Sequence, residues 1–232
     1  MILVCANQKG GVGKTTTATH LADAATISGK KIALLDLDPQ RNAILSLSQD
    51  LLPFNERKRA NTYQPLPSEV FNFFLTNKGT LLATPKTPPK MEDLTELSSS
   101  VDTLIIDCPP TLSGNTSTAI QSATEILIPL QCEFLSLNGL TKILSTIEIT
   151  PKSQINKIFI LPNMYEPRNK DHKEVLNDIT INLPGFLTRT KIPRDTNFSK
   201  STSYGESLFH FNPTSSGARA FSDLFREIHH GR

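Results

Sequence analysis

A run of glycines and lysines near the N-terminus is the strongest chemical signal in the sequence. The segment from Gln8 to Thr16 reads Gln-Lys-Gly-Gly-Val-Gly-Lys-Thr-Thr and follows an apolar run, Ile2 to Ala6. Glycines let the backbone curl so that successive N–H groups point inward and bind anions. A helix predicted over Thr15 to Ser28 adds partial positive charge at its N-terminus. The segment therefore predicts a phosphate-binding loop between a strand and a helix.

Two residues of this loop have predicted roles in nucleotide binding. The Lys14 side chain is expected to reach the β- and γ-phosphates, and the Thr15 hydroxyl is expected to bind Mg²⁺. The strict pattern G-x-x-x-x-G-K-[ST] is not met, because Gln8 stands where its first glycine belongs. An additional lysine, Lys9, precedes the paired glycines instead. The alternative, a glycine-rich turn without a ligand, fits poorly with a loop that joins a strand to a helix.

Acidic residues follow two other apolar runs. Asp36 and Asp38 lie at the end of a strand predicted over Ile32 to Leu37, and their spacing of two places both on one face. This is the carboxyl end of a parallel strand, where open α/β sheets bind ligands. Asp107 ends another apolar run, as in a Walker B motif, and is predicted to bind Mg²⁺ directly or through water. The alternative for Asp107, taken alone, is an acid that caps the next helix.

Short apolar runs alternate with amphipathic segments of helical length along the chain. The runs are mostly continuous rather than alternating, which is typical of buried parallel strands. Predicted strands are Ile2 to Ala6, Ile32 to Leu37, Thr80 to Thr84, Thr103 to Asp107, Glu125 to Leu130 and Lys157 to Leu161, and predicted helices are Thr15 to Ser28, Ser113 to Ala123, Gly139 to Thr150 and Gly217 to His230. This alternation predicts a single α/β domain over residues 1–232, with a mostly parallel twisted sheet and helices on both faces.

Composition and charge exclude several other classes of protein. The 232 residues carry a formal net charge of +2, and 20% are charged, as in ordinary soluble globular domains. Three widely spaced cysteines allow no disulfide framework or C-x-x-C metal pair, so a reducing cytosol is expected. We find no signal peptide and no apolar run of about 18 residues, so no membrane insertion is expected. Polar loops are predicted over Pro53 to Pro67 and Pro85 to Lys90.

The loop sequence K-G-G-x-G-K-T-T resembles the deviant Walker A motif of the ParA/MinD family of ATPases, and the resemblance covers nearly the whole chain. It implies a P-loop NTPase fold, a slow Mg²⁺-dependent ATPase activity, and ATP and Mg²⁺ as cofactors. In that family the extra lysine, here Lys9, crosses to the nucleotide of the partner subunit. The implied nucleotide-binding residues of the loop are Lys9, Gly10, Gly11, Val12, Gly13, Lys14, Thr15 and Thr16.

The same resemblance implies roles for residues outside the loop. Asp38 would position or polarise the attacking water, and Asp36 would support the Mg²⁺ shell. The implied catalytic residues are Lys9, Lys14 and Asp38, and the implied metal ligands are Thr15, Asp36 and Asp107. Asn163 and Pro193 match two segments that reach the adenine base in that family. One departure is Arg41, which stands where the family sequence D-P-Q-G-N-A has glycine.

Basic residues in the C-terminal part of the chain match a surface that contacts DNA in the resembling family. Arg168 matches one such position, whereas a second position is Asn197 here rather than arginine. Neighbouring basic side chains can substitute as phosphate contacts. The predicted DNA-binding residues are therefore Arg168, Arg189, Lys191, Arg194 and Lys200.

The resemblance implies a partition or positioning ATPase that forms a homodimer on binding ATP, binds DNA non-specifically and is released when a partner stimulates hydrolysis. The partner would be a ParB-like or cargo-adaptor protein, and the cargo a plasmid, a chromosome or a protein organelle such as a carboxysome. The expected location is the cytoplasm, on the nucleoid. Two alternatives stay open, a MinD-like ATPase that works on membranes and a metabolic ligase or kinase of related fold. The membrane alternative needs a basic amphipathic C-terminal extension, which we do not expect. The doubled lysines and the D-x-D-P-Q segment favour partitioning over metabolism.

Overall fold

One β-sheet forms the centre of the molecule. The computed structural model describes residues 1–53, 67–111, 114–150 and 155–230, so most of the predicted polar loop from Pro53 to Pro67 lies outside the described residues. The strands within these ranges are β1 (Ile2–Cys5), β2 (Ile32–Asp36), β3 (Leu51–Pro53), β4 (Phe71–Thr76), β5 (Leu81–Pro85), β6 (Thr103–Asp107), β7 (Glu125–Gln131) and β8 (Lys157–Asn163). They lie in the order β3-β4-β5-β2-β6-β1-β7-β8.

Most neighbouring strands of this sheet run in the same direction. All pairs from β5 to β8 in the sheet order are parallel, while β4 is antiparallel to β5 and β3 is antiparallel to β4. The predicted mostly parallel sheet is confirmed, and the six predicted strands are present with ends shifted by at most two residues. The sequence pattern does not predict β3 and β4. The β4 sequence Phe-Asn-Phe-Phe-Leu-Thr breaks simple alternation and is only partly buried.

Helices cover both faces of the sheet, as predicted. They are α1 (Lys14–Ile27), α2 (Asn42–Ser46), α3 (Met91–Ser99), α4 (Gly114–Ser122), α5 (Phe134–Ile149), α6 (Lys170–Asn182), α7 (Thr196–Ser203), α8 (Leu208–Phe211) and α9 (Ser216–His230). Successive strand side chains point to opposite faces, so Val4 joins one core cluster while Leu3 and Cys5 join the other. Helices α3 to α6 contribute buried side chains to the first cluster, and α1, α8 and α9 contribute to the second.

Helix α5 begins at Phe134, earlier than the predicted start at Gly139. Glu133 precedes the helix without a side-chain cap, and Phe134 and Leu135 are exposed, so the first turn lacks the signals that predict a helix start. Gly139 instead lies inside the helix. A Cβ added there would stand 3.4 Å from the Asn7 side-chain oxygen and 3.5 Å from the Cβ of Lys9. Gly139 thus lies where α5 packs directly against the phosphate loop.

A later segment of the chain covers the outer edge of β8, the last strand in the sheet order. The Ile160 N–H donates to the Phe186 carbonyl at 2.7 Å, and the Thr188 N–H donates to the Ile160 carbonyl at 2.9 Å. Farther along, the Ile192 N–H donates to the Pro162 carbonyl at 2.8 Å. This covering segment therefore holds the basic residues around it beside the carboxyl end of β8.

Candidate nucleotide site

The predicted site residues meet because three of the strands that carry them are neighbours in the sheet. Strand β1 pairs with β6, and β6 pairs with β2, all in parallel. In this register Asp107 lies opposite Cys5 on one side and opposite Asp36 on the other. The phosphate loop after β1 and the acidic residues of β2 and β6 therefore share one edge of the sheet, where ligands bind in open α/β folds.

The phosphate loop needs glycine at two positions for its shape. Gly11 and Gly13 have φ angles of 73° and 85°, in the left-handed region that side chains disfavour. Gly13 also has no room for a side chain, because an added Cβ would collide with the amide nitrogen of Asn163. Helix α1 starts at Lys14 with no acidic residue in its first turn, so its positive end is not neutralised. These features favour an anionic ligand at the loop.

Both loop lysines are held by groups of their own chain. Lys14 is buried, and its ammonium donates to the Lys9 carbonyl at 3.2 Å. The Lys9 ammonium lies 3.1 Å from a carboxylate oxygen of Glu133 and donates to the Ser136 hydroxyl at 2.9 Å. Because phosphate oxygens form stronger charge-assisted bonds than a carbonyl, a bound phosphate would displace the carbonyl from Lys14. Lys9 is instead directed to the start of α5.

A cleft of about 740 Å³ opens in front of the loop. Its other walls come from the Asp38–Gln40 segment, from Pro109 to Thr111 and from Leu45 of α2. Of the predicted residues, Gly10, Gly11, Gly13, Lys14, Thr15, Thr16 and Asp38 line this cleft. Its volume lies in the range of small-molecule sites, about 300–1,000 Å³.

Asp36 and Asp38 have different surroundings although they are two residues apart. The Asp36 carboxylate accepts N–H bonds from Asp38 and Ala43, each at 3.0 Å. Burial raises the pKa of Asp36 to about 6, and these two bonds oppose the shift. The Asp38 carboxylate accepts the Gln40 N–H at 2.9 Å and also lines the cleft. Asp36 thus holds the shape of this segment, while Asp38 faces the space in which a water could be positioned.

Asp107 is the residue that most needs a ligand. It is 0% exposed, and neither of its carboxylate oxygens has a hydrogen-bond partner among the described residues. Burial raises its pKa to about 7, while the nearby Thr15 hydroxyl and Lys14 ammonium favour the charged form. A buried charge without partners is costly unless a cation or a proton neutralises it.

The donor set fits a magnesium ion bound together with a phosphate. Mg²⁺ is typically held by one or two carboxylates plus substrate phosphates rather than by a full protein cage. Within the described residues no group of three or more His, Cys, Asp or Glu side chains could hold a metal. Asp107 and Thr15 would therefore supply the protein ligands. Asp36 lies directly opposite Asp107 on the neighbouring strand β2. When bound, the ion neutralises charge on the phosphates.

Neither of the two predicted adenine contacts, Asn163 and Pro193, lines the cleft. Asn163 is 4% exposed, and its amide donates to the Val12 carbonyl at 2.8 Å while its oxygen accepts the Met164 N–H. Asn163 therefore stabilises the phosphate loop through its bond to Val12. Pro193 forms an isolated parallel β-bridge with Tyr165, in the segment that follows β8. Contact of either residue with an adenine base stays a prediction.

The predicted DNA-binding side chains, Arg168, Arg189, Lys191, Arg194 and Lys200, are all exposed. The bridge between Tyr165 and Pro193 joins two of the loops that carry them. The Lys191 ammonium lies 5.3 Å from the centre of the Tyr165 ring, and Arg194 forms an ion pair with Glu166 at 3.2 Å. One cation of the group is thus partly neutralised by the protein itself. A role in DNA binding stays a prediction for all five.

Arg41 has a backbone conformation that glycine adopts more easily. Its φ and ψ are 51° and 41°, which is left-handed, and it immediately precedes α2. Its N–H donates to the Asp38 carbonyl at 2.9 Å, so it closes the turn that carries Asp38. This geometry accounts for the glycine that the resembling family has here, and it leaves Arg41 with backbone strain.

Sequence reasoning misses three residues that act on the loop. Glu133 and Ser136 hold Lys9, although they follow it by more than 120 residues. The His20 Nδ1 lies 2.8 Å from the Thr16 carbonyl, and its Nε2 accepts the Leu208 N–H at 3.2 Å, so His20 ties the loop to α8. One signal for Glu133 and Ser136 is topological, because α5 follows the strand next to β1.

None of the described helices is long and apolar enough to cross a membrane.

Comparison with known proteins agrees with this architecture. The chain is 34% identical to the chromosome-partitioning ATPase Soj of Treponema pallidum over 97% of this chain and 96% of that protein. It is 28% identical to the sporulation initiation inhibitor protein Soj of Bacillus subtilis, over 98% and 97%.

Solved structures show the same fold. The cobyrinic acid a,c-diamide synthase of Mycobacterium smegmatis, with a bound ATP analogue and magnesium, matches with a TM-score of 0.75 and 28% identity, covering 100% of this chain and 96% of that one. The cell division ATPase MinD of Pyrococcus furiosus matches with a TM-score of 0.76 at 22% identity, covering 100% and 99%. The model of the CobQ/CobB/MinD/ParA nucleotide-binding domain matches residues 3–209, and the chain belongs to this family.

Proposed function

We propose that this chain is a ParA-type positioning ATPase that binds Mg·ATP, forms a homodimer around the nucleotide and binds DNA non-specifically in that state. Slow hydrolysis, stimulated by a ParB-like or cargo-adaptor protein, releases it. Binding of Mg·ATP is supported by a phosphate loop with two lysines and by the Asp107 carboxylate beside it, which has no hydrogen-bond partner among the described residues. The names of the Soj relatives point to the same activity.

Different residues of the cleft have different roles in hydrolysis. The loop N–H groups and Lys14 bind the phosphates, while Thr15 and Asp107 hold the metal. Asp38 accepts or orients a hydrogen of the attacking water from its position on the cleft wall. Lys9 exchanges its partners at the start of α5 for the phosphates of the partner subunit, where a cation offsets charge that develops on the transferred phosphoryl group.

The observation that carries the proposal is the position of Lys9. A lysine needed only by its own nucleotide would lie in the phosphate cradle, as Lys14 does. Lys9 does not line the cleft, and its side chain is 30% exposed, with the ammonium held at the start of α5. A cation placed there is available to a second subunit.

The metabolic alternative also has one observation in its favour. The synthase from Mycobacterium smegmatis shares the fold over the whole chain at 28% identity. A ligase of that kind must hold an organic acid next to the γ-phosphate, so its turnover of ATP would require the acid. The proposed positioning ATPase hydrolyses ATP with water alone.

The test combines ATP binding, oligomeric state and turnover. Calorimetry should detect Mg·ATP binding to wild type, and Lys14→Gln should weaken it about 100-fold or more, since bonds to charged groups contribute about 1.5–3 kcal/mol each. Lys30→Gln, an exposed lysine just after α1, should bind as wild type does. Light scattering should show a dimer with Mg·ATP and a monomer with ADP. A chain that stays monomeric with ATP, or hydrolyses it only when an organic acid is added, would contradict the proposal.

A further inference from the structure

Two amide side chains lie beside the phosphate loop at the ends of neighbouring strands. Gln131 is the last residue of β7 and Asn163 is the last residue of β8, and the parallel register places them directly opposite each other. Opposite residues of a parallel pair point to the same face of the sheet. Leu161, two residues before Asn163, packs in the core cluster that contains the side chains of α1. Both amides therefore lie on the face where the phosphate loop leads into α1.

Each of these amides donates to a backbone carbonyl of the loop. The Gln131 amide donates to the Gly11 carbonyl at 3.3 Å, and the Asn163 amide donates to the Val12 carbonyl at 2.8 Å. The two carbonyls belong to consecutive peptide groups. Neither amide lines the cleft in front of the loop, whereas Gly11 does. The two carbonyls therefore point away from the cleft.

The direction of these carbonyls fixes the direction of two backbone donors. In a planar trans peptide, the C=O of one residue and the N–H of the next point in opposite directions. The N–H groups of Val12 and Gly13 therefore point away from the amides and toward the cleft. Neither N–H group has a hydrogen-bond partner among the described residues. Two adjacent backbone donors are thus available to an anion.

The loop sequence alone does not select this orientation. Val12 stands between Gly11 and Gly13, whose φ angles are 73° and 85°. Glycine adopts positive and negative φ almost equally well, so the two peptide groups beside these glycines can rotate. A rotated peptide group would direct its carbonyl oxygen into the cleft, where it would repel a phosphate. The bonds from outside the loop therefore decide which backbone groups face the ligand.

The Asn163 amide is itself held with its nitrogen toward the loop. Its oxygen accepts the Met164 N–H at 3.0 Å, which leaves the nitrogen to face Val12. The side chain is 4% exposed, and it fills the space that a Cβ at Gly13 would need. The Gln131 nitrogen also lies 3.0 Å from the Met164 sulfur. Both donors are therefore fixed by contacts that do not involve a ligand.

We propose that Gln131 and Asn163 are positioning residues of the phosphate loop. By binding the Gly11 and Val12 carbonyls, they present the next two N–H groups to a diphosphate or triphosphate. This inference deepens the proposed function and rests on its phosphate-binding step. It also gives Asn163 a role that does not depend on the base of the nucleotide.

The direct test is the binding of inorganic pyrophosphate, which has no base, measured by calorimetry. Gln131→Met and Asn163→Leu remove the donors with side chains of similar size and without a change of charge. Each should weaken pyrophosphate binding by roughly threefold to tenfold, the range that one hydrogen bond contributes. Each should weaken ADP binding by the same factor. A loss confined to ADP would overturn the proposal and favour contact of Asn163 with the adenine base.

Gln121→Met is the matched control, because this partly buried glutamine donates to the Ser117 hydroxyl within α4, away from the loop. It should bind pyrophosphate as wild type does, and urea titration should show that all three variants are folded. Wild-type affinity in Gln131→Met and Asn163→Leu would overturn the proposal. A wild-type protein that does not bind pyrophosphate would overturn the phosphate loop together with this inference. A protein that binds pyrophosphate but neither dimerises nor hydrolyses ATP would contradict the proposed function alone.

Asn163→Asp separates the donor from the packing of the side chain. A carboxylate keeps the oxygen that accepts the Met164 N–H but cannot donate to Val12, whereas a protonated carboxyl has an O–H that can. Burial would raise the pKa of this carboxyl. Its affinity for pyrophosphate relative to wild type should therefore be low at about pH 8 and recover toward about pH 5, while that of Asn163→Leu should not recover. If Asn163→Asp is equally weak at both pH values, or binds as wild type does at the higher one, the proposed role of the donor is wrong.

Discussion

Single side chains of the site are held in states that a bound nucleotide would change. Lys14 donates to a carbonyl of its own loop, Lys9 is bonded to α5, and the Asp107 carboxylate oxygens have no hydrogen-bond partner in the described part of the chain. The loop therefore has its shape before a ligand binds, and a bound nucleotide would replace the present contacts of its charged groups.

Asp38→Ala should leave ATP binding nearly intact and slow hydrolysis by about 100-fold or more, as expected when a positioned acid–base group is lost. The variant should accumulate as an ATP-bound dimer. Asp38→Asn separates charge from loop shape, because an asparagine oxygen can still accept the Gln40 N–H. Phosphate release under single-turnover conditions measures both variants. Wild-type turnover in Asp38→Ala would show that the residue has no catalytic role.

Asp107→Asn should stabilise the metal-free protein while weakening Mg²⁺-dependent binding of ATP. The carboxylate is buried, its oxygens have no hydrogen-bond partner among the described residues, and a neutral amide of the same size removes the buried charge. We expect the free energy of unfolding near pH 7 to rise, by on the order of 1 kcal/mol, because burial raises the pKa of this carboxyl to about 7 and so disfavours its charged form. Urea titration without metal and calorimetry with Mg·ATP measure the two effects. A loss of stability in the metal-free variant would contradict this explanation of Asp107.

At the scale of helices and strands, His20 joins the phosphate loop to α8 only in its neutral form. Its Nδ1–H donates to the Thr16 carbonyl, its Nε2 accepts the Leu208 N–H, and burial lowers its pKa from 6.5 to about 4. The unfolded chain therefore binds a proton at higher pH than the folded chain. The stabilisation is complete above pH 6.5 and is lost as the pH falls toward 4.

The expected loss amounts to about 3 kcal/mol of unfolding free energy between these pH values, at about 1.4 kcal/mol for each pKa unit. Urea titrations of wild type and His20→Gln from pH 7 to pH 4 isolate this contribution as the difference between the two pH slopes. The difference is needed because the pKa of buried Asp23 is raised to about 6, which acts in the opposite direction. Parallel slopes for the two proteins would assign the acid sensitivity to other groups.

The elements that sequence could predict are those with a local signal. The glycine spacing marks the phosphate loop, and continuous apolar runs that end in Asp36 and Asp107 mark strands whose carboxyl ends meet. The start of α5 and strand β4 could not be predicted, because their exposed or half-buried residues lack a clear period. The position of Asn163 behind the loop also depends on tertiary contact, since its amide meets Val12 across 151 residues of chain. The catalytic and binding roles themselves stay predictions.

At the scale of the whole molecule, the proposed dimer carries two copies of a surface with a few exposed cations. Each subunit exposes a few cations around Arg168, and one of them, Arg194, is already paired. With Z phosphate contacts, the logarithm of DNA affinity should fall with the logarithm of salt concentration at a slope of about −0.9Z. The ATP-bound dimer should therefore show roughly twice the slope of the ADP-bound monomer, together with tighter binding from avidity.

Arg168→Glu should weaken binding to all duplex sequences alike without changing ATP turnover in the absence of DNA. Lys30→Glu is the matched control, because its position after α1 lies at the opposite end of the strands. Filter binding of random duplexes at several salt concentrations, with ATP or ADP, measures both slope and affinity. Equal affinity with the two nucleotides, combined with ATP-dependent recruitment to acidic liposomes, would favour the membrane alternative.

The hydrogen bonds along the outer edge of β8 also bear on solubility. An uncovered edge of a largely buried seven-residue strand would offer unpaired N–H and C=O groups to any other chain and so promote aggregation. Here the segment around Thr188 satisfies part of that edge and carries Arg189 and Lys191 next to it. The same positive charges that would face DNA therefore also oppose edge-to-edge association with another chain. Variants made to remove those charges should be screened for aggregation before any loss of DNA binding is interpreted.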